Sequence, residues 1–197
     1  MERVIIGIHG LNNKPSAKVL HDWWLLSIYD GLASLGLPQL PFHFELLYWA
    51  DLFYPKPLDA KRVKNKDPLF VENPYKTILS QHNAKISLSK IRSRMRIERI
   101  EDQLLQNDKI LHRFEDVADQ VIKYMFRDLD SYLNNKTGYG EALHRPTRDV
   151  ILERLGNLLL KYKNKKIMII AHSMGSIIAY DLLNQPDFNV DVDLLVT

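Results

Sequence analysis

Two short and almost continuous apolar runs, at 4–8 and 167–170, constrain the possible folds of this 197-residue chain most strongly. A run of this length and composition is typical of a strand that is buried on both faces in a parallel sheet. Segments whose apolar residues recur at helical spacing alternate with the strand-like runs along the chain. This alternation predicts an α/β fold, in which a mostly parallel sheet is flanked by helices in three layers.

The predicted elements follow one another as strand, helix, strand, helical insertion, helix, strand, helix and strand. Strands are expected at 3–9, 42–49, 165–171 and 190–196, and helices at about 15–35, 147–163 and 174–184. The middle segment, 60–145, is rich in charge and mostly helical in its pattern. We interpret it as an insertion, serving as a lid or as a protein-binding cap, within one domain that covers residues 1–197.

The composition narrows the classes of function. The chain has no cysteine, which excludes disulfides, thiolate chemistry and cysteine-based zinc sites. Its formal net charge of +3 does not favour nucleic-acid binding. No run reaches the roughly 18 apolar residues of a membrane helix, and the N-terminus lacks the pattern of a signal peptide. We therefore predict a soluble, cytoplasmic protein. The histidines show no metal-ligand spacing, and no cofactor is implied.

A serine lies at the junction between the third predicted strand and the helix after it. The local sequence is Ala171-His172-Ser173-Met174-Gly175. A serine in a strand-to-helix turn, with small residues two positions before and after it, is typical of a nucleophile elbow. Such a turn lifts the hydroxyl above the carboxyl end of the sheet and offers the Met174 backbone N–H to a developing oxyanion. The alternative interpretation is that Ser173 only caps the helix.

A second motif, His9-Gly10-Leu11, follows the first predicted strand. Glycine at this position allows the backbone to approach a substrate closely. The alternative is a glycine-terminated strand followed by an asparagine-rich turn. Taken together, in this order and on these elements, the two motifs resemble the α/β-hydrolase superfamily, in its serine esterase and lipase-like group.

The resemblance implies roles for individual residues. Ser173 is then the nucleophile, and the Leu11 backbone N–H is the second oxyanion donor beside that of Met174. His9 is expected to brace its loop rather than to act as a base. Gly10, His172 and Gly175 are expected to support the site, with the His172 side chain directed away from the elbow.

The resemblance also implies a catalytic acid and a catalytic histidine, both of which we expect beyond Thr197. In the family, the acid and then the histidine come after the nucleophilic serine, but no histidine follows Ser173 here. Mapped on the family, the four strands lie in the order second, first, third, fourth, and two more strands are expected beyond Thr197. We therefore expect the domain to be incomplete at its C-terminus, nearly inactive, and with an exposed apolar edge at 190–196. The alternative is a complete, degenerate hydrolase with a small sheet.

Polar and aromatic residues at the carboxyl end of the second predicted strand are expected to line a substrate pocket, because ligands of open α/β sheets bind at that end. The pocket candidates are Tyr48, Trp49, Asp51 and Tyr54, together with Asn12 after the first strand. The alternative is packing in the core, which we favour for Trp49.

A basic run at 85–99 lies within the predicted insertion. A basic amphipathic helix of this kind binds weakly to anionic membrane surfaces, but a solvated helix face is the more common meaning of a charge run. We expect no nucleic-acid partner, and the oligomeric state is not predicted.

We predict a serine hydrolase that cleaves a carboxylic ester, lipid esters included, through an acyl-enzyme intermediate. Two alternatives stay open. Acyl transfer to an alcohol or an amine would use the same residues. A noncatalytic interaction module on an α/β-hydrolase scaffold would account for the long charged insertion.

Overall fold

The computed structural model of the chain describes residues 2–38, 41–59, 61–62, 67–71, 74–77 and 126–197. The chain divides into two compact units. One consists of Met1–Thr77 together with Asp128–Thr197, and the other of Ile78–Arg127. Most of the predicted insertion, including the basic run at 85–99, lies outside the described residues. The first unit contains the sheet and both sequence motifs.

The described residues form four strands and four α-helices. The strands are β1 (Arg3–Ile8), β2 (His43–Leu47), β3 (Lys166–Ala171) and β4 (Leu194–Val196). The α-helices are α1 (Ala17–Ser34), α2 (Arg127–Leu133), α3 (Thr147–Lys161) and α4 (Met174–Leu183). Two short 3-10 helices lie at Ala50–Leu52 and Gly140–Ala142. Within this part of the chain, no helix is both long enough and apolar enough to cross a membrane.

The four strands form one parallel sheet in the order β2-β1-β3-β4. The predicted α/β class is therefore confirmed, and the strand order agrees with the expected one. Val4 of β1 lies opposite His43 of β2 and Ile167 of β3. Because the strands are parallel, the segments that follow β1, β2 and β3 meet at the same edge of the sheet, where ligands of such folds bind.

The helices cover both faces of the sheet. A Cβ atom on Gly7 would lie 2.8 Å from the Trp24 ring of α1. The neighbouring residue of β1, Ile8, contacts the position of Gly175 in α4. Successive residues of a strand point to opposite faces, so α1 and α4 lie on opposite sides of the sheet. Helix α3 packs beside α4, and the core consists of the β1 and β3 side chains together with apolar residues of α3 and α4.

Two predicted elements differ from the structure. Strand β4 contains three residues rather than the seven of 190–196, and Asp193, immediately before it, is bound to the start of β3. Its carboxylate accepts the Ile167 N–H at 2.8 Å, and its own N–H donates to the Ile167 carbonyl at 2.9 Å. The side chains of β4 are exposed, as expected of an apolar edge. Residues 67–71, which the helical pattern includes, contain a turn and a bridge between Asp59 and Phe70, and residues 74–77 have no regular secondary structure.

Candidate active site

Ser173 occupies a backbone conformation that serine rarely adopts. It follows β3 by two residues and immediately precedes α4, with φ 53° and ψ −123°. These angles are close to those of the first central residue of a type II′ turn, a position that glycine dominates. The turn is closed by hydrogen bonds from Gly175 N–H to the His172 carbonyl, at 2.9 Å, and from Ser176 N–H to the Ser173 carbonyl, at 2.8 Å. The chain therefore turns sharply at Ser173, between the end of β3 and the start of α4.

The side chain of Ser173 is exposed and makes no capping hydrogen bond to α4. A capping serine has extended backbone angles and accepts a hydrogen bond from the first turn of its helix. Ser173 has neither property, so the interpretation of this residue as a helix cap has no support in its contacts. The hydroxyl is left available for chemistry.

Two glycines bring the loop after β1 against the elbow. A Cβ atom on Gly10 would lie 3.0 Å from Ser173 Cβ and 2.8 Å from His172 Nδ1. A Cβ atom on Gly175 would lie 2.5 Å from the Ile8 carbonyl oxygen. Neither position can hold a larger side chain without displacing its neighbour. The two sequence motifs are thus in direct contact at the carboxyl edge of the sheet.

Two backbone N–H groups beside this contact have no acceptor. Among the described residues, neither Leu11 nor Met174 donates a hydrogen bond from its backbone nitrogen. Met174 is the first residue of α4, and the first N–H groups of a helix have no partner within the helix. The family resemblance implies these two N–H groups as the oxyanion donors. Met174 directly follows the exposed Ser173, and Leu11 directly follows Gly10, which packs against Ser173.

His9 is buried and engaged at both ring nitrogens. Its Nδ1 donates to the Gly10 carbonyl at 2.9 Å, and its Nε2 accepts the Trp49 N–H at 3.1 Å. The ring stacks on Trp49, whose Nε1 donates to the His9 carbonyl. Burial lowers the pKa of His9 to about 3, so the ring is neutral in the folded protein. His9 therefore fixes its loop as a neutral imidazole.

His172 is exposed, and its backbone N–H donates to the Ile8 carbonyl at 3.0 Å. No hydrogen bond joins the Ser173 hydroxyl to a histidine ring in the described ranges. Of the predicted catalytic groups, the described residues thus contain Ser173 and the backbone N–H groups of Leu11 and Met174.

The predicted pocket residues have different environments. Trp49 is fully buried in the core. Asp51 binds Arg154 through two hydrogen bonds of 2.9 Å each, and Arg154 also donates to the Tyr48 carbonyl at 2.9 Å. Burial, followed by the charge of Asp51, raises the pKa of Tyr48 to about 12. Tyr48 and Arg154 border a groove of about 570 Å³ between β2 and α3, whose lining does not include Ser173.

The remaining two pocket candidates lead to a residue that the sequence analysis missed. The Asn12 N–H and the Tyr54 hydroxyl both donate to the carboxylate of Asp128, each at 2.8 Å. Asp128 is 2% exposed and lies in the first turn of α2. Lys14 was also missed; its ammonium donates to the Leu11 carbonyl. An acidic residue in a charge-rich segment gave no sequence signal of this role.

In the part of the chain that the structure describes, no group of three or more acidic or histidine side chains has the arrangement of a metal site. We find no match to the chain among protein-family models, curated protein sequences or solved structures.

Proposed function

We propose that this protein is a serine hydrolase of the α/β-hydrolase type, which cleaves a carboxylic ester through an acyl-enzyme on Ser173. The observation that carries the proposal is the backbone of Ser173, with φ 53° between β3 and α4 and a hydroxyl that makes no capping bond. Strain of this kind persists only where the surrounding structure enforces it, and it clusters at functional sites. A residue with only a structural role here would be expected to be glycine.

In this mechanism the Ser173 oxygen attacks the ester carbonyl carbon, and the carbonyl oxygen becomes an oxyanion. The backbone N–H groups of Leu11 and Met174, which donate no hydrogen bond within the described residues, donate to that oxygen. They are held in place before the reaction, so the stabilisation requires no reorganisation. The tetrahedral intermediate then expels the alcohol and leaves an ester on Ser173, which water hydrolyses to the acid.

The proton of the hydroxyl has to pass to a general base. Because burial and two hydrogen bonds keep His9 neutral and occupied, it does not serve. The family resemblance implies a base and an acid later in the chain than Ser173. We also propose a cytoplasmic location, on the cysteine-free composition.

The proposal is tested by the rate at which a fluorophosphonate probe modifies Ser173, followed by intact mass and peptide mapping. Enzymes of this class that lack triad members retain acceleration of about 10³–10⁴ from the oxyanion hole and binding. We therefore expect Ser173 to react at least about 100-fold faster in the folded chain than in the urea-unfolded chain. The matched variants are Ser173→Ala, which should abolish the adduct, and Ser176→Ala, which should not.

Equal rates in the folded and unfolded chain would contradict the proposal and favour a noncatalytic scaffold. Acyl transfer is distinguished by the fate of the acyl group. With an activated ester and added alcohol or amine, a hydrolase releases mainly the acid, whereas an acyltransferase releases mainly the new ester or amide.

A further inference from the structure

The peptide group between Leu11 and Asn12 is held from both ends by side chains of opposite charge. Its N–H, from Asn12, donates to Asp128 Oδ2 at 2.8 Å. Its carbonyl, from Leu11, accepts from the Lys14 ammonium. The peptide is planar and trans, so its N–H and its carbonyl point in opposite directions. A carboxylate on one side and an ammonium on the other therefore fix its rotation.

The carboxylate of Asp128 is itself held in place. Its second oxygen accepts the Tyr54 hydroxyl at 2.8 Å, and the side chain is buried. A charge-assisted hydrogen bond from a backbone N–H to a buried carboxylate is stronger than one between neutral groups. Asn12 has φ 72°, a conformation that asparagine tolerates better than most residues. The contact with Asp128 stabilises this backbone conformation.

Lys14 is a costly residue at its position. Burial lowers the pKa of its ammonium to about 8, with the charge of Asp128 acting in the opposite direction. The ammonium is partly buried against the Leu11 carbonyl, and an apolar side chain of similar size would be expected to fold better there. The hydrogen bond from the ammonium to that carbonyl restrains the loop.

The next peptide upstream, between Gly10 and Leu11, contains the proposed oxyanion donor. His9 Nδ1 donates to its carbonyl at 2.9 Å, and its N–H, from Leu11, is vacant and points away from the His9 ring. Leu11 thus lies between two peptides that are both held by side chains. The direction of its N–H is fixed only while both remain in place.

We propose that Asp128 and Lys14 are positioning residues, which aim the Leu11 N–H at the oxyanion by clamping the adjacent Leu11–Asn12 peptide. This inference rests on the proposed function of Ser173. Neither side chain touches the reacting atoms. Loss of one oxyanion donor costs about 10²–10³ in rate, so misdirecting a donor that remains present should cost less, about 10- to 100-fold in the maximal rate of Ser173 phosphonylation.

The experiment measures two quantities on the same proteins. The first is hydrogen–deuterium exchange at the amides of residues 10–14, and the second is fluorophosphonate modification, resolved into its maximal rate and its half-saturation. Asp128→Ala should accelerate exchange in that segment at least 10-fold and lower the maximal rate, with half-saturation unchanged. Asp128→Asn keeps one oxygen that can accept the Asn12 N–H, while its amide nitrogen can donate to the Tyr54 hydroxyl, and it should restore part of each.

The matched control is Asp130→Ala, which removes a buried carboxylate two residues along α2. The Asp130 carboxylate accepts hydrogen bonds from Lys136 and Asn134. The Asp130→Ala variant should match the wild type in the rate of amide exchange at residues 10–14 and in the rate of Ser173 phosphonylation. This should be so even if its thermal stability falls as much as that of Asp128→Ala. Lys14→Met is the second test. It should be more stable than the wild type at pH 7 and yet slower at Ser173.

The outcomes separate the two proposals. If wild-type Ser173 reacts no faster than in the unfolded chain, the proposed function is wrong, and amide exchange alone then decides whether Asp128 holds the loop. If Ser173 reacts selectively but Asp128→Ala and Lys14→Met match the wild type in rate, the positioning role is wrong. It is equally overturned if Asp130→Ala accelerates exchange at 10–14 as much as Asp128→Ala does.

Discussion

Replacing Ser173 by glycine should stabilise the fold while removing the proposed nucleophile. At φ 53° and ψ −123° the Ser173 backbone lies in a region that glycine adopts without strain and that residues with a Cβ atom rarely adopt. Alanine at this position retains the Cβ atom and therefore the strain, while losing only an exposed hydroxyl. The comparison of Ser173→Gly with Ser173→Ala thus isolates the strain from the loss of the side-chain oxygen.

The magnitude follows from two opposing effects. A residue held in a sparsely populated backbone region costs about 1–3 kcal/mol. Glycine loses more conformational freedom on folding than alanine, which costs about 0.5–1 kcal/mol. We therefore expect Ser173→Gly to exceed Ser173→Ala by about 1 kcal/mol in the free energy of unfolding, which corresponds to a rise in Tm of about 2–4 °C for a chain of this size.

Urea unfolding monitored by tryptophan fluorescence, with thermal unfolding alongside, measures this difference. The control is the same pair of substitutions at Ser176, which lies inside α4. There glycine should be the less stable member, by about 1 kcal/mol, because helical angles favour alanine. If Ser173→Gly is no more stable than Ser173→Ala, the elbow is not strained, and the argument from strain to function fails.

Three further predictions concern the surroundings of the elbow. Gly175→Ala should destabilise the fold by about 1–3 kcal/mol in urea unfolding, because its Cβ would lie 2.5 Å from the Ile8 carbonyl oxygen. Gly31→Ala is the control; it faces open space in α1 and should be stabilising. His9 has a folded pKa of about 3, below its unfolded value of 6.5, so its contribution to stability is complete above pH 6.5 and declines as the pH falls towards 3. A drop of about 3 kcal/mol is expected at pH 4.5, and His9→Gln should flatten the curve between pH 6.5 and 4.5; parallel curves would count against this assignment. Lys14 has a folded pKa of about 8 against 10.5 unfolded, so its ammonium weakens the fold below pH 8 by up to about 3 kcal/mol and the effect fades as the pH rises to 10.5. The stability advantage of Lys14→Met should shrink over that interval, and an advantage independent of pH would show that the buried charge is not its cause.

The strands and helix ends that local chemistry determines were predictable from the sequence. β1 and β3 differ from their predicted ranges by one residue, because continuous apolar runs have few other stable environments. Gly36, which follows the predicted helix at about 15–35, has φ 65°, and the Leu37 N–H donates to the Leu32 carbonyl at 2.9 Å. This is the glycine-terminated helix end that the residue type favours.

Contacts between residues far apart in the chain were not predictable. Asn12 and Asp128 are separated by 116 positions, and nothing in the spacing of either segment indicates that they meet. The contact of Asp193 with Ile167, 26 positions earlier and just before the short β4, is of the same kind. Asp51 is a further example. Its ion pair with Arg154 of α3 joins residues 103 positions apart and had no signal in the sequence, while its predicted place in a substrate pocket stays a prediction.

The unfavourable features of this fold are concentrated at one edge of the sheet. A strained serine and a partly buried lysine lie on the segments that follow β3 and β1. Each costs free energy on folding, and the apolar core formed by β1, β3, α3 and α4 has to offset that cost. Packing alone gives no reason for such features to coincide, because a glycine at 173 or a methionine at 14 would fold better. A requirement for chemistry at that edge does give one, since a site that binds an oxyanion needs unsatisfied donors and a fixed backbone before its ligand arrives.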